Sequence, residues 1–255
     1  MKANWKIALM CVATIAFVAC NKNDGNDPKD PGKDGGKTEE YKNPISVTDA
    51  SLSDWDALDK AYVFEATCPA DGNYLGLKKM KVYADQYYIN VQAEYDPEEI
   101  IDRSWTPFHF YFNTDNSDAT GGYGDQWNDA NIDILMEGAV FALADENDPA
   151  SAGPCAYVPD VFAWTGEVGG TGWSWEGLTA SAAFVTSQHV GNVIEFQFIR
   201  ELVPTPQGAA WNADEFGMGV DIQQNWESVG ILPLVSPTDE NPTGHTNKLQ
   251  VKIKK

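Results

Sequence analysis

Phe108-His109-Phe110-Tyr111-Phe112 places three phenylalanines on one side of an extended chain and a histidine and a tyrosine on the other. Successive side chains of a strand point to opposite faces, so this period-two pattern is that of a strand with one face in a core. The alternation recurs outward in both directions. Ile89, Val91 and Ala93 oppose Asn90, Gln92 and Glu94, and Ile132, Ile134 and Met136 oppose Asp133. Ile194, Phe196 and Phe198 oppose Glu195 and Gln197; Phe216, Met218, Val220 and Ile222 oppose Asp221; Leu249, Val251 and Ile253 oppose Gln250, Lys252 and Lys254. With Val63 to Thr67, Met80 to Ala84 and Ala182 to Thr186, the count is about nine strands, parted by long Gly, Asn, Asp and Pro loops. Helical periodicity is almost absent. The pattern predicts an all-β fold, an antiparallel two-sheet β-sandwich, jelly-roll-like. The off-phase residues Asn90, Gln92, His109, Tyr111, Glu195, Gln197, Asp221 and Gln223 are expected on wet sheet faces, either as a platform for hydroxyl groups or as plain solvated surface.

The N-terminus carries an address. Lys2 and Lys6 precede an uncharged apolar run from Ile7 to Ala19, which is a signal peptide and falls short of the ~20 residues that span a bilayer as a helix. Phe17-Val18-Ala19-Cys20 resembles the lipobox of bacterial lipoproteins, with Phe17 in place of the usual Leu. The resemblance implies cleavage before Cys20 and acylation of its thiol with chains such as palmitate, enough for stable anchoring. An ordinary secretory peptide with an incidental cysteine is the alternative. Residues 20–43 are rich in Asn, Asp, Lys, Gly and Pro and are expected to be a disordered tether. The organisation expected is therefore residues 1–19 as lipoprotein signal peptide, 20–43 as lipidated cysteine and tether, and 44–255 as one sandwich domain on the outer membrane or cell surface.

Composition narrows the partners. The whole chain has 17 Lys and Arg against 38 Asp and Glu; cleavage removes Lys2 and Lys6, leaving 15 against 38 and a net charge of −23. So acidic a surface repels phosphate backbones and anionic headgroups, which excludes nucleic acid as a partner. It suits neutral polyhydroxyl ligands, divalent cations or plain solubility. Besides Cys20, Cys68 and Cys155 remain in the domain and leave both a disulfide and two separate thiols open.

Ile45-Ser46-Val47-Thr48-Asp49-Ala50-Ser51-Leu52-Ser53-Asp54-Trp55, followed by Lys81-Val82-Tyr83-Ala84-Asp85 and then Phe110-Tyr111-Phe112-Asn113-Thr114-Asp115-Asn116, resembles the family 9 carbohydrate-binding modules and the related DOMON-type sandwiches. Ala50 replaces their usual Gly and Asn113 their first Asp, and the likeness ends near Gly138. It implies glycan binding through a tryptophan clamp and a structural calcium. For calcium, the Asx- and Gly-rich loop from Asn113 to Asp133 offers Asp115, Asp118, Asp125 and Asp129, without EF-hand spacing. Asx turns within the loop explain the same residues. For the clamp, Trp127, Trp164, Trp173 and Trp175 stand in turn-rich segments, and Trp173 and Trp175, two apart, can face one groove if extended. Indoles stack on the C–H faces of sugars; packing of loops onto the sandwich is the alternative. Trp55 is expected in a core.

Catalysis finds little support. Asn131-Ile132-Asp133-Ile134-Leu135-Met136-Glu137 is similar to the strand of family 16 glycoside hydrolases, but Asn131 stands at the nucleophile position, Leu135 and Met136 at the two acid/base positions, and Glu137 one residue beyond. Retaining hydrolysis needs two carboxyl groups across the scissile bond. His109, His189 and His245 lack metal-ligand spacing, and His109 and Met218 fall on opposite phases, against haem ligation. The reading is a non-catalytic cell-surface lipoprotein that binds an oligo- or polysaccharide. A structural or adhesion component contacting other surface proteins is the alternative, and a glycoside hydrolase the remoter one.

Overall fold

The strand Pro107–Asn113 is buried along its whole length, on both faces. A two-layer sandwich buries only one face of each strand, so material must cover the outer faces too. The computed structural model describes residues 41–104, 106–129, 131–178, 185–206 and 209–255. The signal peptide, Cys20 and the tether through residue 40 lie outside the described residues.

The strands are β1 (Val63–Thr67), β2 (Leu77–Asp85), β3 (Tyr88–Tyr95), β4 (Pro107–Asn113), β5 (Ile134–Ala139), β6 (Phe141–Leu143), β7 (Ala152–Pro154), β8 (Asp160–Trp164), β9 (Trp175–Gly177), β10 (Val185–Val190), β11 (Val193–Ile199), β12 (Glu215–Gln224), β13 (Glu227–Leu232) and β14 (Leu249–Lys254). Of the expected strand at Ala182 to Thr186, only residues from Val185 are described. The all-β sandwich is as expected, but its two layers belong to one curled 12-stranded sheet; β6 and β7 form a separate 2-stranded one. The first layer runs β10-β11-β3-β2, the second β12-β4-β5-β8-β9. β14 joins them, pairing antiparallel with β12 through Leu249 to Lys252 and parallel with β2 through Ile253 and Lys254.

The alternation read from the sequence defines the core between the layers. Phe108, Phe110, Phe112, Phe216, Met218 and Val220 of the second layer face Val82, Val91, Phe196 and Phe198 of the first. Phe110 packs edge-on to Phe196 with ring centroids 4.7 Å apart, and Phe112 to Phe198 at 5.6 Å. Each such ring, fully buried, stabilises the fold by about 1.5–3 kcal/mol before entropy is counted.

Both outer faces are covered. Ile45, Val47, Trp55 and Leu58 pack with Tyr83 over the first layer. The Trp55 indole N–H donates to the Glu195 carboxylate, Gln188 also donates to Glu195, and the Ala50 N–H donates to Gln188 Oε1 at 2.8 Å. Trp55 is thus core, though of this outer cluster. Over the second layer, Trp127, Ile132 and Ile231 pack with Tyr111 and Leu135. The expectation of wet sheet faces is therefore corrected: Asn90, His109, Tyr111, Glu195 and Asp221 are all buried. Cys68 and Cys155 are half-buried and carry free thiols.

Candidate functional site

β12 and β13 join through a two-residue turn, Asn225-Trp226, with φ of 52° and 69°. Hairpins of this length favour left-handed residues at both positions, a place for Asn and Gly. An aromatic residue there is a steric outlier. The Trp226 ring is 70% exposed. Across from it, the loop Gly169-Gly170-Thr171-Gly172 delivers Trp173, 57% exposed. The two indoles, with Tyr123, Gln223, His109 and Glu137, line a cleft of about 450 Å³. A smaller recess of about 240 Å³ shares Tyr123, Gln223 and Trp226 with it and adds Asp125, Gln126 and His245 among its walls. The register of β12 shifts between Ile222 and Gln223, a bulge next to the cleft.

The floor comes from three adjacent strands. Asp221 of β12 lies opposite His109 of β4, which lies opposite Glu137 of β5. His109 Nε2 is 2.7 Å from Glu137 Oε2, so with an ionised Glu137 the imidazole N–H points at that carboxylate. Asp221 Oδ2 accepts from Gln223 Nε2 at 2.7 Å and from Gln126 Nε2 at 3.2 Å. Burial raises the Asp221 carboxyl above the usual range, and the neighbouring His109 works against that rise. The Tyr123 hydroxyl is pushed up to about 12, first by burial and then by the charges of Asp125, Asp221 and Glu137. Among the described residues, His109 Nδ1, Asp221 Oδ1 and Gln126 Oε1 are buried without a hydrogen-bond partner. Such groups cost about 1–3 kcal/mol each when left unmade.

The structure splits the expected tryptophan set. Trp173 faces the cleft. Trp175 is half-buried behind it, its ring edge-on to Tyr123 at 6.0 Å and to Trp164 at 5.1 Å. Trp127 and Trp164 lie away from this cleft and are only 3% and 4% exposed; Trp127 packs over the second layer, and Trp164 contributes to the lining of a separate cavity of about 760 Å³. Trp127 packs against Gly219, where any Cβ would overlap its ring, and meets Tyr111 edge-on at 5.4 Å. Trp164 covers Gly122 in the same way and donates its indole N–H to the Glu167 carbonyl at 3.1 Å.

The four expected calcium ligands are dispersed. Asp115 accepts from Thr120 Oγ1 and the Ser117 N–H, and Asp118 from Asn131 Nδ2. Asp125 lines the smaller recess. Asp129 accepts from the Lys248 N–H at 2.7 Å and pairs with its buried ammonium at 3.3 Å. Among the described residues, no three His, Cys, Asp or Glu side chains are grouped to hold a metal ion. Asx turns and one buried lysine account for this loop. Of the family 16-like strand, Asp133 is buried and accepts from the Thr114 N–H at 2.7 Å, while Glu137 reaches the cleft.

Of the cleft residues, His109 and Gln223 belong to the polar row read as a possible platform for hydroxyl groups, whereas Trp226 and Glu137 were not singled out as ligand-binding residues by sequence reasoning. A signal for Trp226 did exist: Asn225-Trp226 separates two strand-like runs by two residues, the spacing of a hairpin whose tip projects.

No known family model matches the chain, and no curated protein matches it. A solved structure does. The chain is similar to a family 9 carbohydrate-binding module from Caldicellulosiruptor kristjanssonii in complex with cellotriose, at 12% identity over 84% of this chain and 91% of that one, with a TM-score of 0.34.

Proposed function

We propose that this chain is a non-catalytic carbohydrate-binding protein of a bacterial surface, tethered through Cys20, with the cleft between Trp173 and Trp226 as its glycan site. The observation that carries the reading is the pair of exposed indoles flanking a cleft with a polar floor. Pyranose rings present apolar C–H faces edged by hydroxyls, and an aromatic wall with hydrogen-bonding groups beneath it matches that amphipathic shape. The strain held at Trp226 favours the same reading, because a bulky residue persists in a left-handed turn where its position has a use. Glu137 is the one carboxylate lining the larger cleft, whereas glycoside hydrolysis uses two across the bond.

The test is affinity electrophoresis and calorimetry of the wild type, Trp173→Ala and Trp226→Ala against plant, host and microbial polysaccharides. Each substitution should weaken binding about tenfold or more, the order expected for losing a stacked aromatic anchor. Wild-type silence across the set, or unchanged affinity in both variants, overturns the assignment of the site. Cys20→Ser should release the protein from the detergent phase, and continued partitioning there overturns the anchor.

A further inference from the structure

Among the described residues, the larger cleft between Trp173 and Trp226 and the smaller recess beside Trp226 are lined by carboxylates and by no cationic side chain other than histidine. Glu137 lines the larger and Asp125 the smaller, with Asp221 buried beneath; neither lining includes Lys or Arg. The Asp221-His109-Glu137 row sets one carboxyl group on each side of a single imidazole, across three adjacent strands. Tyr123 lines both recesses, and after burial the charges of Asp125, Asp221 and Glu137 raise its hydroxyl.

Hydrogen-bonding capacity is skewed the same way. Gln126, 6% exposed, lines the smaller recess with its Oε1 unpartnered, and Gln126 and Gln223 each commit one of their two Nε2 hydrogens to Asp221. His109, 1% exposed, lines the larger cleft with Nδ1 unpartnered. Gln126 Oε1 and Asp221 Oδ1 are buried acceptors without a partner, and a ligand that donates hydrogens and brings positive charge suits them. An ammonium group does both, and it is also attracted to the faces of indole rings within about 6 Å.

We propose that the cleft selects oligosaccharides bearing a free, protonated amine on the pyranose ring, with the sugar face against Trp173 and Trp226 and the ammonium toward Glu137. This rests on the glycan reading above and names its ligand class. Neutral sugars lack the charge, and uronic or sulfated sugars meet repulsion from Glu137, Asp125 and the chain's net charge of −21.

The experiment titrates the full chain by calorimetry with fully deacetylated chito-oligosaccharide, its N-acetylated counterpart, cello-oligosaccharide, oligogalacturonate and choline, at a pH that keeps the amine protonated. The deacetylated oligomer should bind roughly tenfold or more tighter than the N-acetylated and cello-oligomers, the range of one charged hydrogen bond. Oligogalacturonate should not bind. Glu137→Gln should bring the ratio of amino-sugar to neutral affinity close to one, and Asp125→Asn, at an exposed position, should lower it by a smaller factor. Equal affinity for amino and neutral oligomers, or a ratio unmoved in both variants, overturns the charge selection and leaves glycan binding standing. Choline binding as tightly as the oligomer overturns the sugar component. Silence for every glycan overturns both readings.

Discussion

Trp226 offers a test in which backbone and side chain separate. Its φ of 69° puts it in the left-handed region, which costs a residue with a Cβ about 1–2 kcal/mol. Trp226→Ala and Trp226→Gly remove the same ring and the same partial burial of that 70%-exposed side chain, so their difference isolates the turn. Glycine escapes the left-handed penalty but adds unfolded-chain entropy worth about 0.4–1 kcal/mol. Subtracting one from the other leaves the glycine variant more stable than the alanine variant by about 0.5–1 kcal/mol. In a domain of this size that is a melting difference of about 2–4 °C per kcal/mol. Urea melts with equal m-values would measure it, read beside glycan affinity in both variants. Both should lose binding. An alanine variant as stable as the glycine variant would refute the strained turn, and retained affinity in either would refute the indole as a wall of the site.

Trp127→Ala should cost about 3–5 kcal/mol in a denaturant melt, as core tryptophans do, whereas Trp173→Ala should cost under about 1 kcal/mol; comparable losses would mean the packing and cleft roles are misassigned. Burial pushes the Asp133 carboxyl up to about 6 despite its bonds from Thr114, so the folded state holds that proton to higher pH than the unfolded chain. Stability from this group is full below about pH 4 and is lost as pH rises to about 6. The stability difference between wild type and Asp133→Asn should follow that slope, and a rise across the window would contradict it. Asp129→Ala removes the ion-pair partner of the buried Lys248 ammonium while the charges of Asp118 and Asp133 remain near it, and should destabilise by about 1–3 kcal/mol in a denaturant melt. Replacing chelator with millimolar calcium tests the Asn113 to Asp133 loop: bound at ~100 times its dissociation constant the ion would add about 2.7 kcal/mol, and an unmoved melting temperature would remove it from the account.

Period-two alternation identified the strands that wall the core, because a strand facing water on one side and hydrocarbon on the other must write that difference into adjacent residues. It says which residues share a face and is silent on what covers that face. His109, Asp221 and Glu195 stand off-phase in their strands, and only the fold brings the 117–132 loop and the 45–58 segment over them. β13 escaped notice because Gly230-Ile231-Leu232 is buried on consecutive residues and shows no alternation. Tryptophans in Gly-rich segments looked alike in the sequence. Gly219 and Gly122 decide the fate of Trp127 and Trp164 by leaving the space a Cβ would fill open to the ring, and those glycines are distant in sequence from at least one partner. Glu137 was judged by spacing along its own strand, while its partners arrive from β4 and β12.

β14 follows every other described strand in the chain, and it pairs with β12 of the second layer and β2 of the first. A nascent chain can therefore form the hairpins β2-β3, β10-β11 and β12-β13 as it emerges, but cannot fasten one layer to the other along this seam until residues 249–254 appear. Closure of the curl depends on a contact between Ile253 and Ala84, among the longest loops the domain must form, and such late, distant pairings slow folding. Until then the Phe-rich inner faces lack that fastening.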